Sequence, residues 1–158
     1  YIAYSFRKVS KPVQSWKYGV TVVVALAHDV LIATAAFALL GRFRGVEVDI
    51  PFAVALLTIM GYSMNNSIIV FDRVRENLVR RGSANFSETV NAGIRESVVR
   101  TVNSSFMTLL VLFAMYLFGG ETIHYFSLAL IIGIFVGTYS ALFLASPLLV
   151  VWAERNRK

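Results

Sequence analysis

Two ionisable side chains lie inside segments that are otherwise apolar. Asp29 is a carboxylate near the middle of residues 18–40, and Arg100 is a guanidinium near the start of residues 98–118. An ionised carboxylate without a partner costs several kcal/mol in a membrane, so Asp29 should be paired, hydrated or protonated. It is therefore a candidate proton-binding residue, and a fixed interhelical hydrogen bond from a permanently neutral Asp29 is the alternative.

Two amides, Asn65 and Asn66, lie near the end of an apolar segment that begins at Pro51. Amides in a membrane need hydrogen-bond partners, so this pair is expected to face other helices or a wet cavity instead of lipid. Four charged residues come directly after this apolar segment. They either anchor the helix at the lipid headgroups or organise the junction with the following surface helix through local ion pairs. These charged residues are Asp72, Arg73, Arg75 and Glu76.

The third apolar segment carries polar residues on one helical face. The spacing i, i+3, i+4, i+7 and i+8 is shared by Arg100, Asn103, Ser104, Met107 and Thr108. Because the face continues beyond Arg100, the pattern favours an inward-facing polar track with Asn103 and Ser104 on a proton pathway. The alternative is an Arg100 side chain that snorkels to the headgroups.

The fourth segment has a pattern that indicates packing. Small residues recur every four positions at Gly133, Gly137, Ala141 and Ala145. This spacing extends a GxxxG unit, which lets two membrane helices approach closely. We therefore expect a close helix contact along this face.

The composition is that of a membrane protein. Hydrophobic residues make up 57% of the chain and the mean hydropathy is +0.67, above the usual soluble range of about 45–50% apolar. The absence of cysteine excludes disulfides and thiolate metal sites, and the separated His28 and His124 predict no metal site. No nucleotide-binding or hydrolase motif is present, so we expect no enzyme activity and no cofactor.

The elements that must position these residues are helices, and the fold class predicted is an all-α polytopic membrane protein. Four transmembrane helices are predicted at about 18–40, 51–71, 98–118 and 123–152, with an amphipathic surface helix at 85–97 that begins at Asn85. Residues 1–17 are expected to be the end of a preceding helix and a basic turn in a larger protein, and residues 153–158 a tail.

The basic residues predict the orientation. Of the 15 Lys and Arg residues, all but Arg42 and Arg44 fall at the two ends or in the 72–100 region. The positive-inside rule therefore places both ends and the 72–97 region in the cytoplasm. Since the basic residues lie beside apolar segments, lipid headgroups explain them better than nucleic acid does.

Four stretches carry a family resemblance in their order and spacing. They are AHDV at 27–30, LLTIMGYSMNNSIIVFDRVREN at 56–77, LFGGE at 117–121 and GIFVGTYSALFLASPLL at 133–149. Together they resemble the SecF subunit of the bacterial SecD/SecF protein-export complex, over nearly the whole chain. The resemblance implies an RND-type bundle in the bacterial cytoplasmic membrane, of which this chain would supply the last four of six helices.

The resemblance also implies a function and partners. It implies that the protein works with SecD and the SecYEG translocon, with YajC and YidC as further candidate partners, and uses the proton-motive force to assist preprotein export. The preprotein would contact an extracytoplasmic domain that this chain lacks. Whether the coupling ion is H⁺ or Na⁺, and whether SecD is fused or separate, stays open.

One position departs from the pattern that the resemblance implies. Arg100 is similar to the family's transmembrane arginine, but Asn66 stands where the family usually has a proton-carrying aspartate. An amide cannot titrate near neutral pH. Three explanations fit this departure: a natural or engineered loss of the proton carrier, coupling by a carboxylate in SecD alone, or transfer of the role to Asp29. Our hypothesis is that Arg100 and a SecD carboxylate form the core of the pathway.

Two other functions fit the same residues. An RND-type transporter of small molecules or lipids would share the helical scaffold, because one fold can serve several functions. A scaffold that only holds partner subunits would explain the missing carboxylate at Asn66.

Overall fold

The computed structural model describes residues 14–81 and 86–155, all in helices or short connections, without a strand in that part of the chain. The helices are α1 (Ser15–Arg44), α2 (Ile50–Arg81), α3 (Phe86–Phe118), α4 (Glu121–Ser140), a π-helical segment (Ala141–Ala145) and α5 (Ser146–Arg155). Four apolar stretches are long enough to cross a membrane, and the last of them runs through α4, the π-helical segment and α5. The predicted all-α class with four spans is confirmed.

The structure corrects the predicted surface helix at 85–97. Residues 86–97 are the first turns of α3 and continue without interruption into the third span. Gly93 is the one residue there that would weaken a helix, and it lies where α3 crosses Val74 of α2, with an added Cβ only 2.8 Å from Val74 Cγ2. Gly93 therefore serves close packing and does not end the helix. The predicted start at Asn85, residues 1–13 of the predicted helix end and basic turn, and residues 156–158 of the predicted tail lie outside the described ranges. Residues 15–17 belong to α1 and residues 153–155 to α5, so the first and last helices extend beyond the predicted bounds.

The connection between α1 and α2 is short and well defined. Gly45 ends α1 with a φ of 67°, a left-handed conformation that glycine adopts readily. Asp49 then caps α2, since its Oδ1 accepts a hydrogen bond of 3.0 Å from the backbone N–H of Phe52.

The two central helices are α2 and α4, which pack against each other. α1 and α3 pack on opposite sides of this pair, each in contact with both central helices. The side chains that face inward on α2 and α4 are therefore surrounded by the other helices, and the polar ones among them must find partners within the bundle.

Buried apolar residues form two clusters with a polar layer between them. One cluster contains Ala25, Val70 and Leu142, and the other contains Ala33, Ile59 and Ile134. Between these positions, buried or half-buried polar side chains occur on every long helix. They are Asp29 on α1, Ser63, Asn66 and Ser67 on α2, Thr101 and Ser105 on α3, and Thr138 and Ser140 on α4.

The widened turn at 141–145 is explained by the proline that follows it. Pro147 has no N–H to donate to the preceding turn, and its ring crowds the carbonyl four residues back. A π-helical turn relieves this conflict without ending the helix. Ser146 lies in the same region and donates its hydroxyl to the carbonyl of Ala141 at 3.4 Å.

Candidate functional site

Asp29 is completely buried and is held by side chains from three segments of the bundle. Its Oδ2 accepts hydrogen bonds from the hydroxyls of Ser63 on α2 and Ser140 on α4, the latter at 2.8 Å. Its Oδ1 lies 3.0 Å from Nδ1 of the neighbouring His28. We call Asp29, His28, Ser63 and Ser140 the Asp29 site. It joins α1, α2 and α4 at the level of the polar layer.

Small residues of the fourth span allow α2 and α4 to come close enough for these hydrogen bonds to Asp29. A Cβ added at Gly137 would lie 3.1 Å from Ser63 Cβ and 3.5 Å from Asp29 Oδ2, so a larger residue there would push both groups away. A Cβ at Gly133 would overlap the side chain of Ile59. Ala141 and Ala145 are fully buried. All four small residues thus face the interior, where α2 and α4 meet.

His28 connects the buried carboxyl group to the surface of the bundle. Its side chain is 31% exposed, whereas that of Asp29 is fully buried. It lines a groove on the outer side of α1 together with apolar residues that include Val24, Leu31 and Ile32. Either ring nitrogen of the imidazole can hold a hydrogen, so Nδ1 of His28 can donate to Oδ1 of Asp29 or accept from it.

Asn66 lies one helical turn beyond Ser63 and is 2% exposed. Its Nδ2 has no hydrogen-bond partner among the described residues, and the same is true of the Thr101 hydroxyl. Asn65, in contrast, is exposed on the outer side of α2. The two amides that the sequence pairs are therefore separated, one inside the bundle and one outside it.

A second set of polar side chains links the helices on the α3 side of the bundle. The Tyr62 hydroxyl donates to Ser105 Oγ at 3.1 Å, and Ser105 Oγ lies 2.7 Å from Thr138 Oγ1. This group links α2, α3 and α4. Because all three members are hydroxyls, it satisfies buried polar atoms without an ionisable carboxylate or cation near neutral pH.

The polar face of α3 is not directed into this four-helix bundle, which corrects the predicted inward track. Arg100, Asn103 and Ser104 are all exposed. The buried positions of α3 are Thr101 and Ser105, and successive helical residues are about 100° apart. The polar face thus lies roughly a quarter turn from the buried one. Spacing alone defines a face, but it does not say which neighbour that face meets.

Arg100 borders a polar cavity of about 300 Å³ between the ends of α2 and α3. The cavity lining includes the carboxylates of Asp72, Glu76 and Glu96. None of the ion pairs found in the described residues includes Arg100. Its guanidinium is therefore available to an anionic group outside this chain.

The charged junction after the second span contains local ion pairs on α2. Arg73 and Glu76 are 2.5 Å apart, Arg80 and Glu76 are 3.6 Å apart, and Arg75 and Asp72 are 3.9 Å apart. All of these side chains are substantially exposed, so each pair contributes little to stability. A hydrogen bond of 3.2 Å from Asn77 to Glu96 connects α2 to α3 at the same level.

Several members of these groups are not evident from the sequence. Ser140 looks like a residue that merely adjusts a helix near proline, and Tyr62, Ser105 and Thr138 have no charge to attract attention. One signal was available: Tyr62 and Ser63 lie in one of the family-like stretches, and Thr138 and Ser140 lie in another. No group of three potential metal-ligating side chains occurs in the described part of the chain.

Comparison with protein families gives a match over residues 13–155. The matching family is described as protein export membrane protein SecD/SecF, C-terminal. The chain belongs to this SecD/SecF family. This confirms the resemblance that the four sequence stretches indicated.

Individual members of the family are also similar to this chain in sequence. The chain is 48% identical over 156 residues to the protein translocase subunit SecF of Thermobaculum terrenum, covering 99% of this chain and 48% of that protein. It is 41% identical over 157 residues to the protein translocase subunit SecDF of Thermus thermophilus, covering 99% of this chain and 20% of the relative. The chain thus spans about half the length of the SecF relative.

A crystal structure of SecDF in the super-membrane-facing form has the same fold. The TM-score is 0.84 at 43% identity, over 90% of this chain and 19% of that one. The SecD/SecF bundle of this chain is therefore a multi-pass membrane fold of a protein-translocase family. Such relatives are transport components, which agrees with the absence of hydrolase motifs.

Proposed function

We propose that the chain is the C-terminal membrane part of a SecF-type subunit that uses the proton-motive force to assist preprotein export. The family match and the translocase relatives support the export role. On this proposal the protein resides in the bacterial cytoplasmic membrane with both ends of the chain cytoplasmic. SecD and SecYEG are its partners, and YajC and YidC are further partners.

The observation that carries the proposal is the exposed polar face of α3. A guanidinium and an amide facing lipid are unfavourable by several kcal/mol, and the cost rises with depth in the bilayer. Arg100, Asn103 and Ser104 should therefore contact another protein helix in the assembled complex. The exposed Asn65 of α2 extends the polar surface that needs such a partner.

A carboxylate on that partner helix would complete the coupling site. Arg100 lacks an ion-pair partner within the described residues, and a membrane guanidinium is stabilised by a facing carboxylate. Protonation of the carboxylate would break this ion pair, so proton binding would change the contact between the two subunits. Asn66 cannot titrate, and it is buried inside this bundle instead of on the face that contains Arg100, so it takes no part in the proposed ion pair.

The cavity beside Arg100 offers a route for water from the polar side. It lies at the level where the charged residues Asp72 and Glu76 follow the second span, so its mouth is hydrophilic. On the proposed orientation this mouth opens to the cytoplasm. A proton released from the partner carboxylate could leave through it.

The test is preprotein translocation into vesicles that contain the full-length protein, SecD and the translocon, with and without an imposed proton gradient. Arg100→Gln should abolish the stimulation by the gradient, whereas Arg95→Gln, an exposed arginine one turn and a half earlier, should retain it. Equal stimulation in wild type and Arg100→Gln would overturn the assigned role of Arg100. Absence of stimulation in the wild type would favour a scaffold that holds partner subunits without coupling.

A further inference from the structure

The Asp29 site is separate from the polar face that contains Arg100. Asp29 is on α1, Arg100 is on α3, and these helices pack on opposite sides of α2 and α4. Among the described residues, the hydrogen-bond partners of Asp29 are the titratable His28 and the hydroxyls of Ser63 and Ser140, and none of these partners lies on α3. The proposed coupling pair therefore does not use this carboxylate.

The hydrogen atoms at the site can be counted. Ser63 and Ser140 each have one hydroxyl hydrogen, and both hydroxyls are placed to donate to Oδ2. The Ser140 hydroxyl also lies 3.4 Å from the carbonyl oxygen of Gly137, but Oδ2 is the nearer acceptor at 2.8 Å. With both hydroxyls directed at it, Oδ2 acts as an acceptor. One hydrogen remains to be shared between Oδ1 and Nδ1 of His28, which are 3.0 Å apart.

Two arrangements satisfy this count. In one, Asp29 is ionised and neutral His28 donates its Nδ1–H to Oδ1. In the other, Asp29 is protonated and its Oδ1–H donates to the unprotonated Nδ1. The geometry fits both, because the same two atoms exchange donor and acceptor roles without moving apart.

We propose that Asp29 and His28 form a second proton-binding site of this chain, with Ser63 and Ser140 as positioning residues. A proton from outside binds Nε2 of His28, the Nδ1–H bond breaks, and the Oδ1–H bond of Asp29 forms. The imidazole ends neutral with its hydrogen on Nε2, so the pair gains one proton and its charge changes from −1 to zero. This inference rests on the proposed function only for its use in export.

Protonation at this site would alter how the helices are held together. Hydrogen bonds to an ionised carboxylate are roughly twice as strong as those between neutral groups. Ionised Asp29 therefore draws Ser63 and Ser140 towards α1 more strongly than neutral Asp29 does. Because Ser140 immediately precedes the π-helical segment, the site acts where α4 departs from regular α-helical geometry.

The test is infrared difference spectroscopy of the full-length protein with SecD, in vesicles of phosphatidylethanolamine and phosphatidylglycerol, across a pH series. Wild type should show a carbonyl band of a protonated carboxylic acid that is lost in Asp29→Asn. Asp49→Asn, a change at the exposed cap of α2, should keep the band. The partner carboxylate can add a band of its own, so the assignment depends on the component that Asp29→Asn removes. Spectra of wild type and Asp29→Asn that are identical at every pH would overturn the proposal.

Two further variants keep the proposal testable even when Asp29→Asn fails to fold. In Ser140→Ala the carbonyl oxygen Oδ2 loses a donor, so the band should move to higher frequency, whereas a residue with a merely structural role would leave it in place.

In His28→Gln proton exchange should slow by roughly a hundredfold, within the range for positioned proton transfer. His124→Gln is the control. An unmoved band in Ser140→Ala and an unchanged rate in His28→Gln would contradict the assignment.

The outcome is independent of the export assay. If Asp29 binds a proton but the gradient does not stimulate translocation, the second proton site stands and the proposed function fails. If the gradient stimulates translocation but the Asp29 band is absent, the proposed function stands and this inference fails.

Discussion

At the scale of single residues, the most informative contrast is between Asp29 and Asn66, both buried in the polar layer. Asp29 accepts two hydroxyl hydrogen bonds and lies against an imidazole, whereas the Asn66 amide nitrogen has no partner among the described residues. A satisfied carboxylate holds neighbouring helices together. An unsatisfied amide is expected where a further group, from water or a partner subunit, completes the site.

The hydroxyls around Asp29 should contribute measurably to stability. Ser63→Ala removes a donor to a buried carboxyl group, so we expect unfolding to become easier by about 1.5–3 kcal/mol if Asp29 is ionised and by about 1 kcal/mol if it is neutral. Thermal unfolding of the purified full-length protein in detergent measures this difference. Ser87→Ala, at an exposed serine of α3, is the matched control and should change stability little.

At the scale of helices, the fourth segment shows what the sequence predicts well. The four-residue repeat of small residues indicates a close contact, and all four members are buried in the structure. The repeat does not reveal that the contact also places Ser63 and Ser140 against Asp29. That arrangement depends on the rotation of α2 about its axis, which is set by packing against three other helices at once.

The third helix shows why part of the site could not be predicted. The spacing correctly identifies which residues share its polar face. This face, however, lies roughly a quarter turn from the buried face that contains Thr101 and Ser105. In a soluble protein, burial would separate a polar outer face from an apolar inner one. In a membrane both lipid and neighbouring helices favour apolar residues, so hydropathy does not distinguish them.

Because α2 and α4 pack closely, replacing a glycine by a larger residue should destabilise the protein at the contact and not away from it. Gly133→Leu should destabilise the protein by about 1–3 kcal/mol, because the new side chain would occupy the space of Ile59. Gly61→Leu is the control, since an added Cβ there meets no atom within 4 Å. Thermal unfolding would distinguish them, and equal losses at both glycines would show that packing does not limit the approach of the helices.

At the scale of the whole molecule, the four described spans form a bundle whose surface is incomplete. The outer side of α3 contains a charged residue and two polar residues that lipid solvates poorly, beside a cavity lined by both acidic and basic side chains. The relatives are about twice as long as this chain or longer. We propose that a part of the full-length assembly beyond this chain covers this side.

The absence of cysteine makes that contact directly measurable. A cysteine at Ser104 should form a crosslink to a cysteine placed on a SecD transmembrane helix, when the full-length proteins are assembled in vesicles. A cysteine at Val102, which is exposed on a different side of α3, should not. Crosslinking at Val102 in place of Ser104 would mean that the polar face is not the subunit contact.

If Arg100 and a partner carboxylate provide the coupling, Asn66 need not titrate. This can be tested by comparing gradient-dependent preprotein translocation by the full-length protein as it stands with that of its Asn66→Asp variant. The protein with Asn66 should already respond to an imposed proton gradient, and Asn66→Asp should not create the response. Stimulation by the gradient in the Asn66→Asp variant alone would exclude coupling by Arg100 and its partner without position 66, and would identify position 66 as the missing proton carrier.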